Sequence, residues 1–330
     1  MLEWLLGKSF DPEKDIPSLS GKVILVTGGR HPPNDHQLLY KRNANLQTGN
    51  TGLGKETVLQ LAKHDPKEIL LAARTPSKAE AAIADIKKTV PNASISFLQL
   101  DLTSFSAIKK AADDFTSRSD RLDLLINNAG VMAMPYALTK ENYEIQFGTN
   151  HMGHALLTKL LMPTLLKTAE QPGSDVRVIN LSSEGHLMPP KGGISYDQAA
   201  LEKEYTMARY GNSKLANILH ARELSRLYPS ITATALHPGV IVTDLYQNNV
   251  AAKVLGVLGS IPTNLGLLYD VPRGTKNQLW AATAPKEEVR SSHYWKPVGI
   301  KSAGSGYAQN GELARRLWEW TEGELKKHGY

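Results

Sequence analysis

The feature that most constrains the fold is the alternation, along most of the chain, of short apolar segments with longer segments of helical periodicity. Short apolar runs bounded by turn residues are typical of strands that are buried on both faces. Because these runs alternate with helical patterns, the order predicts βαβ units and a parallel sheet covered on both sides. The predicted strands are 22–27, 68–73, 94–100, 122–128, 176–182 and 231–238, with a seventh at 293–299.

Helical patterns lie between these strands, and no internal repeat or linker interrupts the order. We therefore predict an α/β fold: one Rossmann-like domain whose doubly wound parallel sheet has about seven strands flanked by helices. The predicted helices are 55–64, 77–90, 106–118, 154–167 and 213–227. The predicted divisions are an N-terminal extension at 1–20, the domain at 21–330, an atypical insertion at 30–49 and a substrate-loop region at 245–275.

The composition is that of an ordinary globular chain: 41% of the residues are hydrophobic and 21% are charged, so a sizeable core can form. The absence of cysteine excludes disulfides and thiolate chemistry and favours a reducing compartment, so we predict a cytoplasmic protein. The apolar patch Leu2–Leu6 is too short for a signal peptide or a span, although it could form a small membrane-touching or dimer contact. The uncharged run Val254–Tyr269 is interrupted by glycines and Pro262, so no stable membrane span is predicted.

The net charge is +6, and the basic residues are spread along the chain rather than gathered in one stripe. A nucleic-acid surface normally needs a clustered basic patch, so no nucleic-acid partner is predicted. A small anionic ligand explains the basic balance equally well.

A split glycine-rich turn follows the first predicted strand. Gly28 ends that strand, Gly52 and Gly54 open the first predicted helix, and residues 30–49 separate the two halves. Without residues 30–49 the sequence reads VTGGNTGLGKE, in which glycines let backbone N–H groups and the helix N-terminus approach a pyrophosphate. A glycine triplet alone is equally typical of a generic turn. The predicted cofactor contacts in this turn are Gly28, Asn50, Gly52, Leu53 and Gly54.

Three interpretations of residues 30–49 stay open. The segment has neither helical nor strand periodicity, and it could be a tolerated surface loop because longer loops cost only modest entropy to close. It could instead spoil pyrophosphate binding and leave a pseudoenzyme. We favour a third interpretation, a retained intron. Gly29 and Thr48-Gly49 can be encoded with a GT donor and an AG acceptor, and removal of twenty codons restores the turn in frame.

Two segments carry a tyrosine and a lysine at positions i and i+4, which share one face of a helix. An ammonium placed in this way can stabilise a phenolate and lower the pKa of the tyrosine, which makes it a candidate acid and base. We predict that YGNSK (210–214) is the functional pair, because it opens a helix after the strand that ends in Ser182 and Ser183. YALTK (136–140) follows Pro135 in a loop and is interpreted as a decoy.

The order of these motifs resembles the short-chain dehydrogenase/reductase family. The interrupted TGxxxGxG turn is followed by NNAG (127–130), the strand-end serine pair, YGNSK and HPG (237–239). The resemblance covers roughly residues 20–245, and QFGTNHMGHALLTKLL, SSEGH and the tail ELARRLWEWTEGEL are similar to the retinol-dehydrogenase-like branch and its fungal relatives. It implies a Rossmann-like fold and an oxidoreductase that uses a nicotinamide nucleotide.

The resemblance assigns the chemistry to four side chains. Tyr210 is implied as the general acid and base, and Lys214 as the residue that holds the nicotinamide ribose and depresses the tyrosine pKa. Ser183 is implied to hydrogen-bond the substrate oxygen, with Ser182 as the alternative. Asn150 is implied to anchor a water in a proton relay to Lys214, with a helix-capping or kink role as the alternative.

The resemblance also implies cofactor contacts beyond the glycine turn. The second predicted strand ends at LLAART, which places Arg74 where a carboxylate would bind the ribose 2′-hydroxyl of NAD. We therefore predict that NADP(H) is preferred over NAD(H), with Arg74 facing the 2′-phosphate; a solvated arginine is the alternative. The other implied contacts are Asp101, Leu102, Asn128, Ala129, Gly130, Tyr210, Lys214, Pro238, Gly239 and Thr243.

The predicted function is interconversion of an apolar ketone or aldehyde and its alcohol by hydride transfer. Apolar residues in the poorly patterned segments 131–137, 184–207 and 245–273 suggest the apolar substrate. The alternative is a catalytically impaired nucleotide-binding pseudoenzyme, because the glycine turn is interrupted. No metal is predicted, since no ligand cluster such as HExxH accompanies the histidines. The resemblance implies a homodimer or homotetramer.

Overall fold

The computed structural model describes residues 7–28, 52–241 and 268–330 of the chain. Within these residues the strands are β1 (Val23–Thr27), β2 (Glu68–Ala73), β3 (Ile95–Gln99), β4 (Leu124–Asn127), β5 (Arg177–Leu181), β6 (Thr232–Leu236), β7 (Val240–Ile241), β8 (Leu268–Tyr269), β9 (Tyr294–Lys296) and β10 (Ile300–Lys301). Eight of them form one sheet in the order β10-β9-β6-β5-β4-β1-β2-β3, and β7 pairs with β8. Every neighbouring pair in the large sheet is parallel except β9 with β10.

The helices cover both faces of the sheet. They are α1 (Pro12–Asp15), α2 (Leu53–Ala62), α3 (Pro76–Thr89), α4 (Phe105–Arg118), α5 (Ile145–Phe147), α6 (Gly153–Ala169), α7 (Gln198–Lys203), α8 (Thr206–Leu227), α9 (Val271–Thr283), α10 (Lys286–Arg290), α11 (Gly306–Gln309) and α12 (Gly311–Lys327). A π-helical turn, Gly148–Met152, joins α5 to α6, and a 3-10 turn, Glu184–Leu187, follows β5. None of the described helices is both long enough and apolar enough to cross a bilayer.

Two hydrophobic cores result, one on each side of the sheet. The first lies under α4, α6, α8 and α12, and the second lies under α2, α3 and α9. The central strands are buried along their whole length because they face a core on both sides. The predicted doubly wound single domain is therefore confirmed, and each predicted strand is present within a few residues of its predicted position. The additional strand β10 has only two residues, too few to give a periodic signal.

The described part of the N-terminal extension packs against the domain. Phe10, Ile16 and Leu19 are buried in the second core, and the Lys8 N–H donates to the Val298 carbonyl at 2.8 Å. Within the predicted substrate-loop region the structure describes 268–275, which contain β8 and the start of α9. Residues 242–267 and the insertion at 30–49 lie outside the described residues.

Helix α8 begins earlier than the sequence predicts, and Tyr210 lies in its second turn rather than at its start. Polar contacts hold the first turn in place. The Thr206 hydroxyl donates to the Met134 carbonyl at 2.7 Å, and the Arg209 guanidinium lies 3.3 Å from the Glu144 carboxylate. Because these contacts give no apolar period, the sequence pattern misses the first turn of the helix.

Asp123, directly before β4, ties the start of that strand to the start of β1. Its carboxylate is fully buried and accepts the Val23 N–H at 2.9 Å. It also pairs with Arg121 at 2.7 Å and with Lys22 at 3.2 Å. A buried carboxylate with these partners fixes the parallel register between the two central strands.

We expect Asp123→Ala to lower the free energy of unfolding by about 2–4 kcal/mol, because it leaves two cations and one buried N–H without their acceptor. Asp113→Ala is the matched control, since it removes only an exposed pair with Lys109 and should cost less than about 1 kcal/mol. Urea denaturation followed by circular dichroism measures both. Equal losses in the two variants would contradict the role given to Asp123.

Candidate active site

A cavity lies beyond the carboxyl ends of the central strands, where the strand order reverses between β1 and β4. This topological switch point is where open α/β sheets bind ligands. Five predicted cofactor residues meet there: Gly28, Arg74, Asp101, Leu102 and Ala129. Thr27, at the end of the first predicted strand, was also expected near the ligand, whereas the sequence analysis missed the other lining residues, which are Ala72, Leu100, Thr103 and Thr149.

Arg74 and Asp101 face each other across this cavity. Their closest side-chain atoms, Arg74 Nη1 and Asp101 Oδ2, are 4.0 Å apart, and each side chain is about one quarter exposed. Asp101 Oδ1 accepts the N–H and the hydroxyl of Thr103, which holds the turn after β3. Burial lowers the pKa of Arg74, and the charge of Asp101 opposes that shift. The long ion pair therefore engages only one end of a guanidinium that has five N–H donors.

The NNAG segment is held against the end of β1 by a single threonine. Thr27 Oγ1 accepts the N–H groups of Asn128 and Ala129, both at 3.0 Å, and the Thr27 carbonyl accepts Asn128 Nδ2 at 2.8 Å. Next in the chain, Gly130 approaches the catalytic candidates closely. A β-carbon there would lie 3.1 Å from Asn150 Oδ1 and 3.4 Å from Lys214 Nζ, which explains the glycine.

Asn150 lies in the π-helical turn between α5 and α6. Such turns are frequent at functional sites because they displace one residue from the regular helix. Its Oδ1 accepts the Val131 N–H at 2.8 Å, and its Nδ2 donates to the Val131 carbonyl and to Ser213 Oγ at 2.9 Å. The side chain thereby connects the segment after NNAG to the helix of Tyr210 and Lys214. Ser213, inside YGNSK, was missed by the sequence analysis.

Lys214 is fully buried against the end of β5. Its Nζ donates to the Leu181 carbonyl at 3.0 Å and lies 5.6 Å from the centre of the Tyr210 ring. Burial lowers the pKa of the Lys214 ammonium to about 8. The predicted i, i+4 pair is thus on one face of α8, and its lysine is poised to exchange a proton near neutral pH.

The two serines at the end of β5 have different environments. The Ser182 hydroxyl is buried and donates to the Lys214 carbonyl at 2.8 Å, so it holds α8 to the sheet. The Ser183 hydroxyl accepts the Gly185 N–H at 3.1 Å and interacts with the Tyr210 side chain. Ser183 is therefore the serine that faces the tyrosine.

Tyr210 differs from the expectation in one respect. Burial raises the pKa of its phenol to about 12, while hydrogen bonding by Ser183 opposes the shift. The pKa of Tyr210 is therefore raised, opposite to the depression that was expected from Lys214. The ring packs edge-on over Gly185, where a β-carbon would lie 2.7 Å from the Tyr210 ring. That glycine, within the SSEGH motif, was not singled out from the sequence.

The decoy segment 136–140 is not helical. Tyr136 is half-buried, and its hydroxyl donates to the Gln198 carbonyl at 3.3 Å, whereas Lys140 is exposed. Because the segment is not helical, the i, i+4 spacing of Tyr136 and Lys140 does not place their side chains on one helix face.

The remaining predicted cofactor residues are only partly described. Gly52 precedes α2, and Leu53 and Gly54 form its first turn. Pro238 and Gly239 follow β6, and Gly239 has a φ of +102°, with the Tyr269 ring where its β-carbon would lie. Asn50 and Thr243 lie outside the described residues.

Two buried histidines make structural hydrogen bonds: His151 pairs with Thr321 at 3.1 Å, and His186 lies 2.7 Å from the Ser183 carbonyl. His237 Nδ1 is buried and has no hydrogen-bond partner among the described residues. Among the described residues, no group of three or more histidine, aspartate or glutamate side chains is arranged to hold a metal ion.

Comparisons with known proteins agree with this architecture. A family model described as short chain dehydrogenase matches residues 44–253. The short-chain dehydrogenase/reductase drtF of Aspergillus calidoustus is 39% identical over 326 residues, which cover 94% of this chain and 96% of that protein. The crystal structure of an uncharacterised protein from Mycobacterium paratuberculosis has a TM-score of 0.68 and 27% identity, and it covers 97% of this chain and 98% of its own.

The fold, the strand-end cavity and these matches define a nucleotide-dependent oxidoreductase of the Rossmann type: the chain belongs to the short-chain dehydrogenase/reductase family. Members of this family bind a nicotinamide cofactor. Within the family it belongs to the retinol-dehydrogenase-like branch, as the sequence analysis predicted. Human retinol dehydrogenase 13 is 36% identical over 322 residues, covering 93% of this chain and 92% of that enzyme.

The burial of Lys214 predicts a stability effect with a defined pH dependence. In the unfolded chain the lysine pKa is about 10.5, and in the folded chain it is about 8. Below pH 8 both states are protonated and the fold carries the full desolvation cost; between the two values the unfolded state binds more protons, so stability rises with pH.

We therefore expect Lys214→Met to raise the free energy of unfolding by about 2 kcal/mol near neutral pH, and the gain to shrink at about pH 10. The Leu181 carbonyl keeps a donor, Asn217 Nδ2, at 2.9 Å. Lys110→Met, on the exposed face of α4, is the control and should change stability little at either pH. Urea titrations at both pH values provide the test, and a gain that does not depend on pH would refute the assignment.

Proposed function

We propose that this chain is an NADP(H)-dependent oxidoreductase that interconverts an apolar ketone or aldehyde and its alcohol. The observation that carries the proposal is the meeting of Ser183, Tyr210 and Lys214 at the carboxyl end of β5. A hydroxyl pair next to a buried ammonium is suited to polarise a carbonyl and to exchange one proton with it.

The residues around the cavity fit a nicotinamide nucleotide. The first turn of α2 is glycine-rich, as a pyrophosphate requires, and Gly130 leaves room beside Lys214 and Asn150 where a β-carbon would intrude. When bound, the nucleotide supplies or accepts the hydride. Asp101, Leu102 and Ala129 would hold its adenosine half, and Tyr210 and Lys214 its nicotinamide ribose.

Each side chain then has a defined part in the reaction. Ser183 and Tyr210 donate hydrogen bonds to the substrate oxygen, and during reduction the Tyr210 hydroxyl gives its proton to that oxygen. The Lys214 ammonium stabilises the phenolate that remains, which matters because burial raises the pKa of Tyr210. Asn150 would anchor a water in a relay: Lys214 passes a proton to the Tyr210 phenolate, and the water then returns a proton to Lys214. In the reverse direction, the Tyr210 phenolate removes the proton of the alcohol.

The substrate end of the site supports an apolar substrate. Leu187 ends the 3-10 turn after Ser183 and Met188 follows it, and their exposed fractions are 52% and 42%. Met134 is buried next to the first turn of α8. We further propose a cytoplasmic enzyme that works as a dimer or tetramer.

The assay that tests this function follows NADPH oxidation by the purified full chain with nonanal and 2-nonanone. Tyr210→Phe and Ser183→Ala should each lose about 10²- to 10⁴-fold in kcat/KM, because each removes a donor to the reacting oxygen. Ser182→Ala should lower kcat/KM less than about tenfold, since its hydroxyl bonds the Lys214 carbonyl and holds α8 rather than contacting the substrate oxygen. Equal activity losses in the two serine variants would contradict the assignment.

The same assay separates the enzyme from a silent nucleotide-binding protein. A variant that lacks residues 30–49 is compared with the full chain for NADPH binding and turnover. Binding by both supports a working enzyme in which the insertion is tolerated. Turnover by the shortened variant alone supports a chain impaired by its interrupted glycine turn, and turnover by neither argues against the proposed activity.

The preference for NADP(H) rests on Arg74. It follows β2 and lines the cavity, at the position where an acidic residue would favour NAD. A solved structure described as NADPH-bound carbonyl reductase from chicken fatty liver has a TM-score of 0.56 and 22% identity, which supports the shared fold alone.

We expect Arg74→Asp to reduce the ratio of kcat/KM for NADPH over NADH by about tenfold or more, because a carboxylate would repel the 2′-phosphate. Arg315→Asp, an exposed arginine on α12, controls for the change in net charge and should leave the ratio unchanged. An unaltered ratio in Arg74→Asp would show that this arginine is merely solvated.

A further inference from the structure

His154 has no assigned role, yet it contacts both halves of the candidate site. It lies in the first turn of α6, directly after the π-helical turn, and only 3% of its surface is exposed. Its Nδ1 lies 3.0 Å from the Asn150 carbonyl oxygen, and its Nε2 lies 2.9 Å from Thr27 Oγ1. The imidazole therefore spans the gap between the π-helical turn and the end of β1.

The partners of His154 define its tautomer. A carbonyl oxygen only accepts, so Nδ1 must carry the hydrogen that bonds the Asn150 carbonyl. In the neutral ring Nε2 is then an acceptor, and the Thr27 hydroxyl donates to it. This leaves both lone pairs of Thr27 Oγ1 for the N–H groups of Asn128 and Ala129. Every donor and acceptor in this cluster is satisfied by one arrangement of hydrogens.

The opposite arrangement leaves the cluster unsatisfied. A proton on Nε2 would point a third donor at Thr27 Oγ1, which has two lone pairs, and the Thr27 hydrogen would have only the Ile126 carbonyl at 3.4 Å. The titratable groups nearest the ring are Lys214 and His220 on α8 and His151 in the π-helical turn. Burial lowers the pKa of His154 to about 4, and Lys214 adds to that shift, so the ring is neutral near pH 7.

Both ends of this bridge lead to the reacting groups. On one side, Thr27 holds the backbone of Asn128 and Ala129, which leads to Gly130 beside Lys214. On the other side, the backbone of Asn150 carries the side chain that bonds Ser213 in α8. One rigid ring thus sets the spacing between the nucleotide edge of the site and the helix that bears the acid and base.

We propose that His154 is a positioning residue: its Nδ1–H tautomer links Thr27 to the Asn150 carbonyl and so fixes the Asn128–Gly130 edge relative to Tyr210 and Lys214. The effect on turnover rests on the proposed function, whereas the tautomer and the effect on nucleotide binding do not. A displacement of an ångström at such an edge is enough to cost a large factor in rate.

Two substitutions distinguish the effect of the two hydrogen bonds of His154 from the effect of the volume of its ring. The carboxamide of His154→Gln can accept from Thr27 through its oxygen and donate to the Asn150 carbonyl through its nitrogen, whereas His154→Leu fills space and makes neither bond. In the full chain we expect His154→Leu to lower kcat/KM for NADPH about 10- to 100-fold, and His154→Gln to stay within about threefold of the wild type.

A buried histidine that does not join the two halves is the matched control. His220 is also buried, and its Nδ1 accepts from Asn180 Nδ2 while its ring stacks on Trp318. His220→Leu should lower the melting temperature about as much as His154→Leu but leave kcat/KM for NADPH within about twofold of the wild type. If His154→Leu acted only through a general loss of packing, the melting temperature and kcat/KM would fall in both His154→Leu and His220→Leu.

The outcomes distinguish this proposal from the proposed function. Rescue by glutamine but not by leucine, in NADPH affinity measured by nucleotide fluorescence as well as in turnover, supports the positioning role. Equal losses in both variants, or wild-type affinity and turnover in His154→Leu, overturn it.

Imidazole ¹⁵N shifts test the tautomer independently, and an Nε2–H ring overturns the proposal even if the enzyme is active. A wild-type chain that binds NADPH but reduces neither substrate contradicts only the proposed function.

Discussion

Three hydrogen bonds between β5 and α8 hold the reactive helix against the sheet, and the geometry of the site depends on them. The Leu181 carbonyl accepts Lys214 Nζ at 3.0 Å and Asn217 Nδ2 at 2.9 Å, while the Ser182 hydroxyl donates to the Lys214 carbonyl at 2.8 Å. All three lie in the interior, where water does not compete for the donors and the low dielectric strengthens them. The end of β5 therefore positions Lys214. It also positions Tyr210, which lies one helical turn before Lys214 in α8.

A buried ion pair secures the first turn of the same helix. Glu144 caps α5 by accepting the N–H groups of Gln146 and Phe147, and its other oxygen lies 3.3 Å from Arg209, the residue before Tyr210. Burial raises the pKa of Glu144, and the adjacent guanidinium and the capped N–H groups oppose that shift. The segment that leads to Asn150 is thus connected to α8 by this pair, by the bond from Gln146 to the Thr206 carbonyl and by the bond from Asn150 to Ser213.

The sequence predicts the sheet well because its strands are buried on both faces and each leaves a continuous apolar run. It also predicts Tyr210 and Lys214, since i, i+4 spacing is a local property of one helix. The resemblance favours Ser183 and leaves Ser182 as the alternative, since the two are adjacent and polar; the contact of Ser182 with the Lys214 carbonyl supports the choice of Ser183. The pairing of His154 with Thr27 is hidden from the sequence, because 127 residues separate the two.

The remaining gaps in prediction have a common physical origin. The nucleotide edge is built by strand ends, whose positions follow from a regular sheet, so its residues could be placed from the order of motifs. The substrate end is built by segments without a period, in which Leu187 ends one short turn after Ser183 and Met188 follows it. The Leu181 and Lys214 carbonyls hold α8 to the end of β5 through bonds that do not involve the side chains of Leu187 and Met188. The proposed reaction class can therefore be predicted from sequence motifs. The proposed substrate depends on aperiodic segments, which leave no comparable signal in the sequence.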